Sequence, residues 1–548
     1  MMSKIKADLM TAPVLDPIEF EIFKNLFLSI AEEMGITLCR TGFSPNIKER
    51  LDYSCAIYDE HGQTIAQGDH MPVHLGAMPL SVQAAIEHVA MEPGDVVILN
   101  DPFQGGTHLP DITLVQPIFI GDEAAPMFYV ANRAHHSDVG GMSPGSMPLA
   151  QEVFQEGLIL PPVRLLRRGE ICQDILSLIL ANVRTPIERE GDLSAQIAAN
   201  RVGEARLRAI VARYGLERVR YYAHAAQDYA ERILRHTISL IPDGEYSFED
   251  LMDDDGFSRE RIGIRATVRI TGDTVEVDFS GTDLQTSGGV NANFAITLAA
   301  SLYCFRCLVQ EDVLYNAGIS RPVRVIAPLG TIVNARHPAA VAGGNVETSQ
   351  RITDVVLGAL AKALPDVIPA ASQGTMNNIT LGGSRLEDGS PFAYYETMAG
   401  GMGGRNGLPG LSGVHTHMSN TRNTPIEAIE HYLPVRVRRY ALRQGSGGEG
   451  RYPGGEGILR EYEMLTDTAI TLLSERRTSH PYGVQGGAPG GCGRNTVFYA
   501  DGSAEVVAAK ARLQLKAGDR LRIESPGGGG FGAAQADGLE GECNKEEV

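Results

Sequence analysis

Six side chains that could bind a metal or carry a proton fall into two short polar clusters. Asp101, His108 and Asp111 lie within Asn-Asp-Pro-Phe-Gln-Gly-Gly-Thr-His-Leu-Pro-Asp (100–111), and His135, His136 and Asp138 lie within Ala-Asn-Arg-Ala-His-His-Ser-Asp-Val-Gly-Gly (131–141). Imidazole nitrogens and carboxylate oxygens brought together form a donor set for a divalent metal of intermediate softness. Any one of these histidines is also accounted for by a hydrogen-bonded core or surface position. The pairing of His-x-x-Asp with His-His-x-Asp is harder to dismiss, because buried carboxylates and imidazoles are costly unless paired or metal-bound. Asp101, His136 and Asp138 are candidates for proton transfer, since a histidine near its reference pKa suits general acid–base work.

The intervening residues show how the clusters could meet. Ile112 to Ile120 and Phe128 to Ala131 are apolar runs, and Gly121-Asp122-Glu123 supplies turn chemistry between them. The natural reading is a strand-turn-strand unit that returns His135 to the neighbourhood of His108 and Asp111. Upstream, Asp16-Pro17 opens a periodic helix with Ile18, Phe20, Ile22, Phe23, Leu26, Ile30 and Met34 on an apolar face, ended by Gly35. Leu51 to Tyr58 reads as a strand with Asp52 near its start, Met78 to Val89 as a helix, and Asp95 to Leu99 as a strand delivering Asn100 and Asp101.

Further along, Asp192 to Tyr214 and Leu216 to Leu240 read as long helices, and residues 241–283 switch to period-two alternation. Phe294 to Val309 and Val346 to Leu364 read as helices. From 376 onward, short strands alternate with glycine-dense loops at 400–413, 445–457, 483–493 and 527–532, which hold much of the total of 62 glycines without a fixed repeat period. The expectation is a mixed α/β (α+β), multidomain protein. A metal-binding α/β region with a helical extension would span 15–240, an α/β middle region 241–375 and a sheet-rich, glycine-loop region 376–535, with 1–14 and 536–548 as flexible ends.

At 548 residues the chain exceeds a single ordinary core. A formal net charge of −19 argues against nucleic acid as a partner, because phosphate binding wants clustered Lys and Arg. No run of about 18 apolar residues and no signal-peptide layout is present, so the expected compartment is the cytoplasm, with no membrane contact. Seven cysteines without framework spacing fit free thiols in a reducing compartment. The lone Cys304-x-x-Cys307 reads as a packed helix face.

Several long segments in the same order resemble the hydantoinase B family. They are Glu49 to Ala56, the two clusters above, Gly343 to Arg351, Asn420 to Glu427 and Ser525 to Gly530. That family includes B subunits of ATP-dependent N-methylhydantoin hydrolases, the B half of 5-oxoprolinases, caprolactamase B subunits and related subunits of acetone and acetophenone carboxylases. The resemblance runs from about Asp16 to Gly532. It implies one divalent metal, zinc ahead of manganese, with ligands falling on Asp52, His108, Asp111 and one histidine of the His135-His136 pair, taken as His135. It also implies an A-type partner subunit carrying ATP and Mg, in a hetero-oligomer of A2B2 form. The chain itself has no Gly-x-x-x-x-Gly-Lys-Ser/Thr sequence.

The activity implied is ATP-coupled opening of a hydantoin, lactam or 5-oxoproline ring. The alternatives are a subunit of an ATP-dependent ketone carboxylase and a noncatalytic scaffold for the A subunit. Glu347, Arg351, Arg405, His415, His417, Asn420 and Arg422 are later polar residues in glycine-rich settings, each explicable as a loop brace. Arg405 and Arg422 are the better candidates for anion or partner contacts.

Overall fold

The computed structural model describes residues 15–68 and 70–534; the expectations for 1–14 and 536–548 lie outside the described residues. The fold is mixed α/β and multidomain, and among the described residues the strands form four sheets. No helix among them is long and apolar enough to cross a membrane.

The first sheet carries the clusters. Its strands are β1 (Tyr53–Asp59), β2 (Thr64–Gln67), β3 (Val96–Leu99), β4 (Asp111–Ile118), β5 (Phe128–His135), β6 (Val163–Arg167) and β7 (Glu170–Ile171), in the order β2-β1-β5-β4-β3-β6-β7. Every neighbouring pair is antiparallel. Successive side chains alternate between faces. Cys55, Ile57 and Val130 pack under the helices Pro17–Thr41, Pro186–Tyr214 and Leu216–Ser239. Ala56, Tyr58, Val115 and Ala131 pack on the other face, with Met78 and Val82 of the helix Met78–His88. Coverage of both faces leaves every residue of β4 and β5 buried, the polar ones among them included.

The first helix begins where Asp16 accepts the Ile18 N–H at 2.9 Å, with Pro17 in the first turn. It runs past Gly35 to Thr41, and that glycine is buried inside it. Ile18 and Ile22 are exposed, so the apolar positions spread wider than the stripe the core covers. The long helix expected from Asp192 starts earlier, at Pro186, because a proline pre-set for helical φ opens it. Gly215, at φ +83°, separates it from the helix that follows.

A second sheet, β8 (Gly244–Met252), β9 (Ile262–Thr271), β10 (Thr274–Asp278) and β11 (Val323–Ile326), packs with the helix Ser349–Ala363. The helix Phe294–Arg306, capped by Asn293, lies against that helix and carries buried Cys304, while Cys307 just beyond it is exposed.

The last two sheets face each other across one core. β13-β12-β16-β19 (Pro391–Glu396, Asn378–Ser384, Thr468–Leu473, Lys510–Leu515) supplies Ile379, Tyr394 and Leu472. β14-β15-β20-β17-β18 (Val435–Arg443, Gly457–Met464, Arg520–Glu524, Arg494–Phe498, Ala504–Val507) supplies Tyr462, Val497 and Leu521.

The glycine-dense segments lie side by side and exchange backbone hydrogen bonds. Gly448 donates to Gly528 O, Gly528 to Gly455 O, Gly455 to Met402 O and Gly404 to Gly529 O, all at 2.8–2.9 Å. A Cβ on Gly528 would lie 2.1 Å from Met402 O, so only glycine lets these backbones approach so closely.

Candidate metal centre

The β4–β5 hairpin sets the centre. Its register places Asp111, the first residue of β4, directly opposite His135, the last residue of β5. His108 lies one tight turn before β4, where the Asp111 N–H bonds back to His108 O. His108 Nε2 is 3.2 Å from Asp111 Oδ1, and His135 Nδ1 is 3.3 Å from the same oxygen. The donor atoms of these three residues all lie within 4.8 Å of one another, and all three residues are buried.

Those spacings fit a shared cation. Donors about 2.0–2.1 Å from a tetrahedral zinc stand roughly 3.3 Å apart. The Asn345 side-chain amide also lies 3.0 Å from His108 Nε2, so a residue from the middle of the chain approaches the same nitrogen.

The second oxygen, Asp111 Oδ2, accepts the Thr107 hydroxyl at 2.7 Å and lies 3.4 Å from His74 Nε2. His74 Nδ1 is in turn 3.0 Å from Ser54 Oγ. Burial alone would raise the Asp111 carboxyl, but the imidazoles of His108 and His74 outweigh it and hold it well below the usual carboxylate range. Burial lowers His135 against the opposing pull of Asp111 and Asp52, which leaves a neutral imidazole able to ligate.

Asp52 stands beside this group. Its backbone oxygen accepts the His135 N–H at 3.0 Å. Its carboxylate is 3.7 Å from Arg50 Nη2 and outside the set of donors that lie within 4.8 Å of one another. Leu51 turns the chain into Asp52 at φ +57°, a conformation that side chains other than glycine rarely adopt.

Tyr395 covers the centre from β13. Its ring stacks on His135 with centroids 4.4 Å apart, and its hydroxyl donates to Asn378 Oδ1 at 2.8 Å. The Arg50 guanidinium also lies over the ring, and it donates to Tyr395 O and Thr397 Oγ1.

The remaining candidates sit elsewhere. His136 Nε2 is 3.0 Å from Gln196 Oε1 on the helix Pro186–Tyr214, and burial lowers this imidazole to about 4. Asp138 accepts from the Arg184 guanidinium and backbone N–H. Asp101 accepts from Phe103 N–H and Gln104 Nε2, shaping its own turn. Glu347 accepts from Asn378 Nδ2 at 2.7 Å, and burial pushes its carboxyl up to about 8. Arg351 joins Asp250, Glu475 and Asp354 in a buried ion network. Arg405 is exposed and pairs through its backbone with Leu408, whereas the Arg422 N–H donates to Arg50 O. His415 and His417 are part-buried, and Asn420 Nδ2 donates to His70 O.

Sequence reasoning missed His74 and Tyr395. The signal for His74 was a pair of histidines four apart, His70 and His74, just after the strand carrying Asp52. No local signal marks Tyr395, which reaches the centre from far along the chain.

Residues 16–534 match the hydantoinase B/oxoprolinase family. The chain belongs to that family. It is 43% identical to an uncharacterized protein of Methanocaldococcus jannaschii, over 95% of this chain and 91% of the other. Against 5-oxoprolinase 1 of Arabidopsis thaliana it is 38% identical over 95% of its own length but spans 42% of that longer protein. The fold matches an ATP-dependent caprolactamase from Pseudomonas jessenii with a TM-score of 0.87 at 28% identity, covering 95% of this chain and 92% of the other. It also matches an acetone carboxylase with a TM-score of 0.87, covering 94% and 76%; at 18% identity that likeness concerns the fold alone.

Proposed function

We propose that this chain is the metal-binding B subunit of an ATP-dependent enzyme that opens a cyclic amide, a hydantoin, lactam or 5-oxoproline ring, while a separate A-type subunit uses the ATP. The observation that carries the proposal is the buried His108–Asp111–His135 group. Family membership and the names of the oxoprolinase and caprolactamase relatives support the substrate class. The proposed assembly is A2B2.

His108, Asp111 and His135 would hold the ion, with Asp52 adjacent as a fourth donor. Two imidazoles with carboxylates suit zinc ahead of manganese. When bound, a divalent ion supplies Lewis-acid polarisation of an oxygen. Thr107 and His74 fix the orientation of the Asp111 carboxylate. Tyr395 and Arg50 close over His135 and exclude water. Activation of the amide through phosphorylation falls to the partner. We assign His136, Asp138 and Asp101 positioning roles, because each is already engaged by Gln196, Arg184 and its own turn, respectively.

The test is reconstitution with the A-type subunit and an ATPase screen against hydantoins, 5-oxoproline, lactams, and ketones with bicarbonate. Turnover driven by a cyclic amide, and abolished by His108→Ala, is the expected result. Turnover driven only by ketone plus bicarbonate would replace the proposal with the carboxylase reading, which the shared fold favours as second choice. Full activity in His108→Ala would leave only the scaffold reading.

A further inference from the structure

Away from the metal centre, a cleft of about 1000 Å³ opens between the β8–β9 turn and the ends of β14, β17 and β19. Arg259, Arg261, Arg443, Arg477, Arg494 and Lys510 line it. Such a concentration of cations stands out in a chain with a formal net charge of −19. The lining carboxylates do not neutralise it. Asp253 accepts the Arg477 and Ser479 N–H groups and the Thr478 and Ser479 hydroxyls, and Asp254 lies 3.5 Å from Lys510 Nζ. Lys510 also donates to Glu475, and Arg443 lies 3.7 Å from Glu524.

Four arginines remain. Among the described residues, Arg259, Arg261, Arg477 and Arg494 have no carboxylate within ion-pair reach. Arg477 is the most telling. Neutral oxygens alone hold its guanidinium: Nη1 donates to Glu475 O at 2.7 Å, and Nη2 donates to Asn377 Oδ1 at 2.9 Å and Asn495 Oδ1 at 3.0 Å. Its Nε is buried without a partner. Asp253, Glu347 and Glu475 act on it only through space, so a part-buried cation with an unpaired N–H is left for a ligand anion to complete. Several planar guanidinium forks around one space match a phosphate, whose charge and oxygens exceed what a single carboxylate offers.

We propose that this cleft binds a small phosphate-bearing anion, with Arg477 at its inner wall and Arg494 at its mouth. The site is independent of the metal centre and of the reaction assigned to it. The source of the phosphate is either a free phosphate or polyphosphate, or a phosphate ester whose ring lies against Phe257, a cleft residue that is 49% exposed.

Calorimetric titration of the full chain with inorganic phosphate, pyrophosphate and ADP at low salt tests this. Saturable binding at one site per chain is expected, weakened about tenfold or more in Arg494→Gln. Arg208→Gln, on an outer helix beside Glu204, should leave it unchanged. Among the described residues Arg494 makes no side-chain hydrogen bond or ion pair, so its loss should not unfold the chain; Arg477→Gln, checked by its melting temperature, tests the inner wall. ADP binding tighter than pyrophosphate, with the advantage lost in Phe257→Ala, identifies the ester as the source, and equal affinities identify the free anion. No saturable binding of any of the three probes, or wild-type affinity in both Arg494→Gln and Arg259→Gln, would overturn the proposal.

Discussion

Tyr395 ties the C-terminal region to the candidate metal centre, and its ring and its hydroxyl do separable work. The hydroxyl donates to Asn378, whereas the ring stacks on His135 and carries the Arg50 guanidinium. Tyr395→Phe leaves the stack in place and strips one donor from a buried amide oxygen, a loss of about 1–3 kcal/mol in stability. Its effect on zinc affinity should stay within about threefold, since nothing that orients His135 changes. Tyr395→Ala empties a site only 1% exposed, which costs about 3–5 kcal/mol. It also frees the His135 ring, so zinc affinity should fall by about 10–100-fold, the range for removing a group that orients a ligand. Urea unfolding of the metal-free chain and zinc competition against a chelator read the two effects separately. Equal loss of affinity in both variants, or wild-type affinity in Tyr395→Ala, would refute the assignment.

Three further outcomes follow from the same geometry. His74→Gln removes the imidazole beside Asp111 Oδ2 and should weaken zinc binding about 10–100-fold without abolishing it; competition titration checks this, and unchanged affinity would remove His74 from the centre. Gly528→Ala drives a Cβ into the Met402 carbonyl, whose backbone neighbours are fixed, so a loss of about 3 kcal/mol or more is expected in urea unfolding; a loss of a few tenths would show that the glycine segments yield. Burial pushes the Glu156 carboxyl up to about 8, although its Oε1 accepts the Val341 and Ala342 N–H groups. The folded state therefore holds a proton that the unfolded chain releases near pH 4, so stability falls as pH rises between those values, by up to ~1.4 kcal/mol per pH unit. Glu156→Gln should flatten that slope between pH 5 and 8, and an unchanged slope would contradict it.

The part of the centre built by short-range structure was legible. β4 and β5 announce themselves as apolar runs around a glycine turn, and their register alone brings Asp111 to His135. His74 was hidden because its role depends on Ser54 in β1 orienting a single helical turn, Pro72–Leu75. Tyr395 was hidden because β13 reaches the N-terminal sheet only through packing that no local pattern encodes. The polar residues beside the candidate ligands have partners that sequence neighbourhood does not show. His136 follows His135 in sequence, but its hydrogen-bond partner is Gln196, on a helix packed against the sheet. The glycine segments declared their density but not their purpose, since the close backbone contacts join four stretches distant in sequence.

The central claim, that one divalent ion is held jointly by His108, Asp111 and His135, is tested most directly by metal analysis with X-ray absorption at the metal edge, on the chain purified with the proposed A-type partner. One ion per chain is expected, with two imidazole ligands and carboxylate oxygen, lost in His108→Ala and in His135→Ala. An active assembly without metal, or an ion retained with unchanged coordination in both variants, would contradict it.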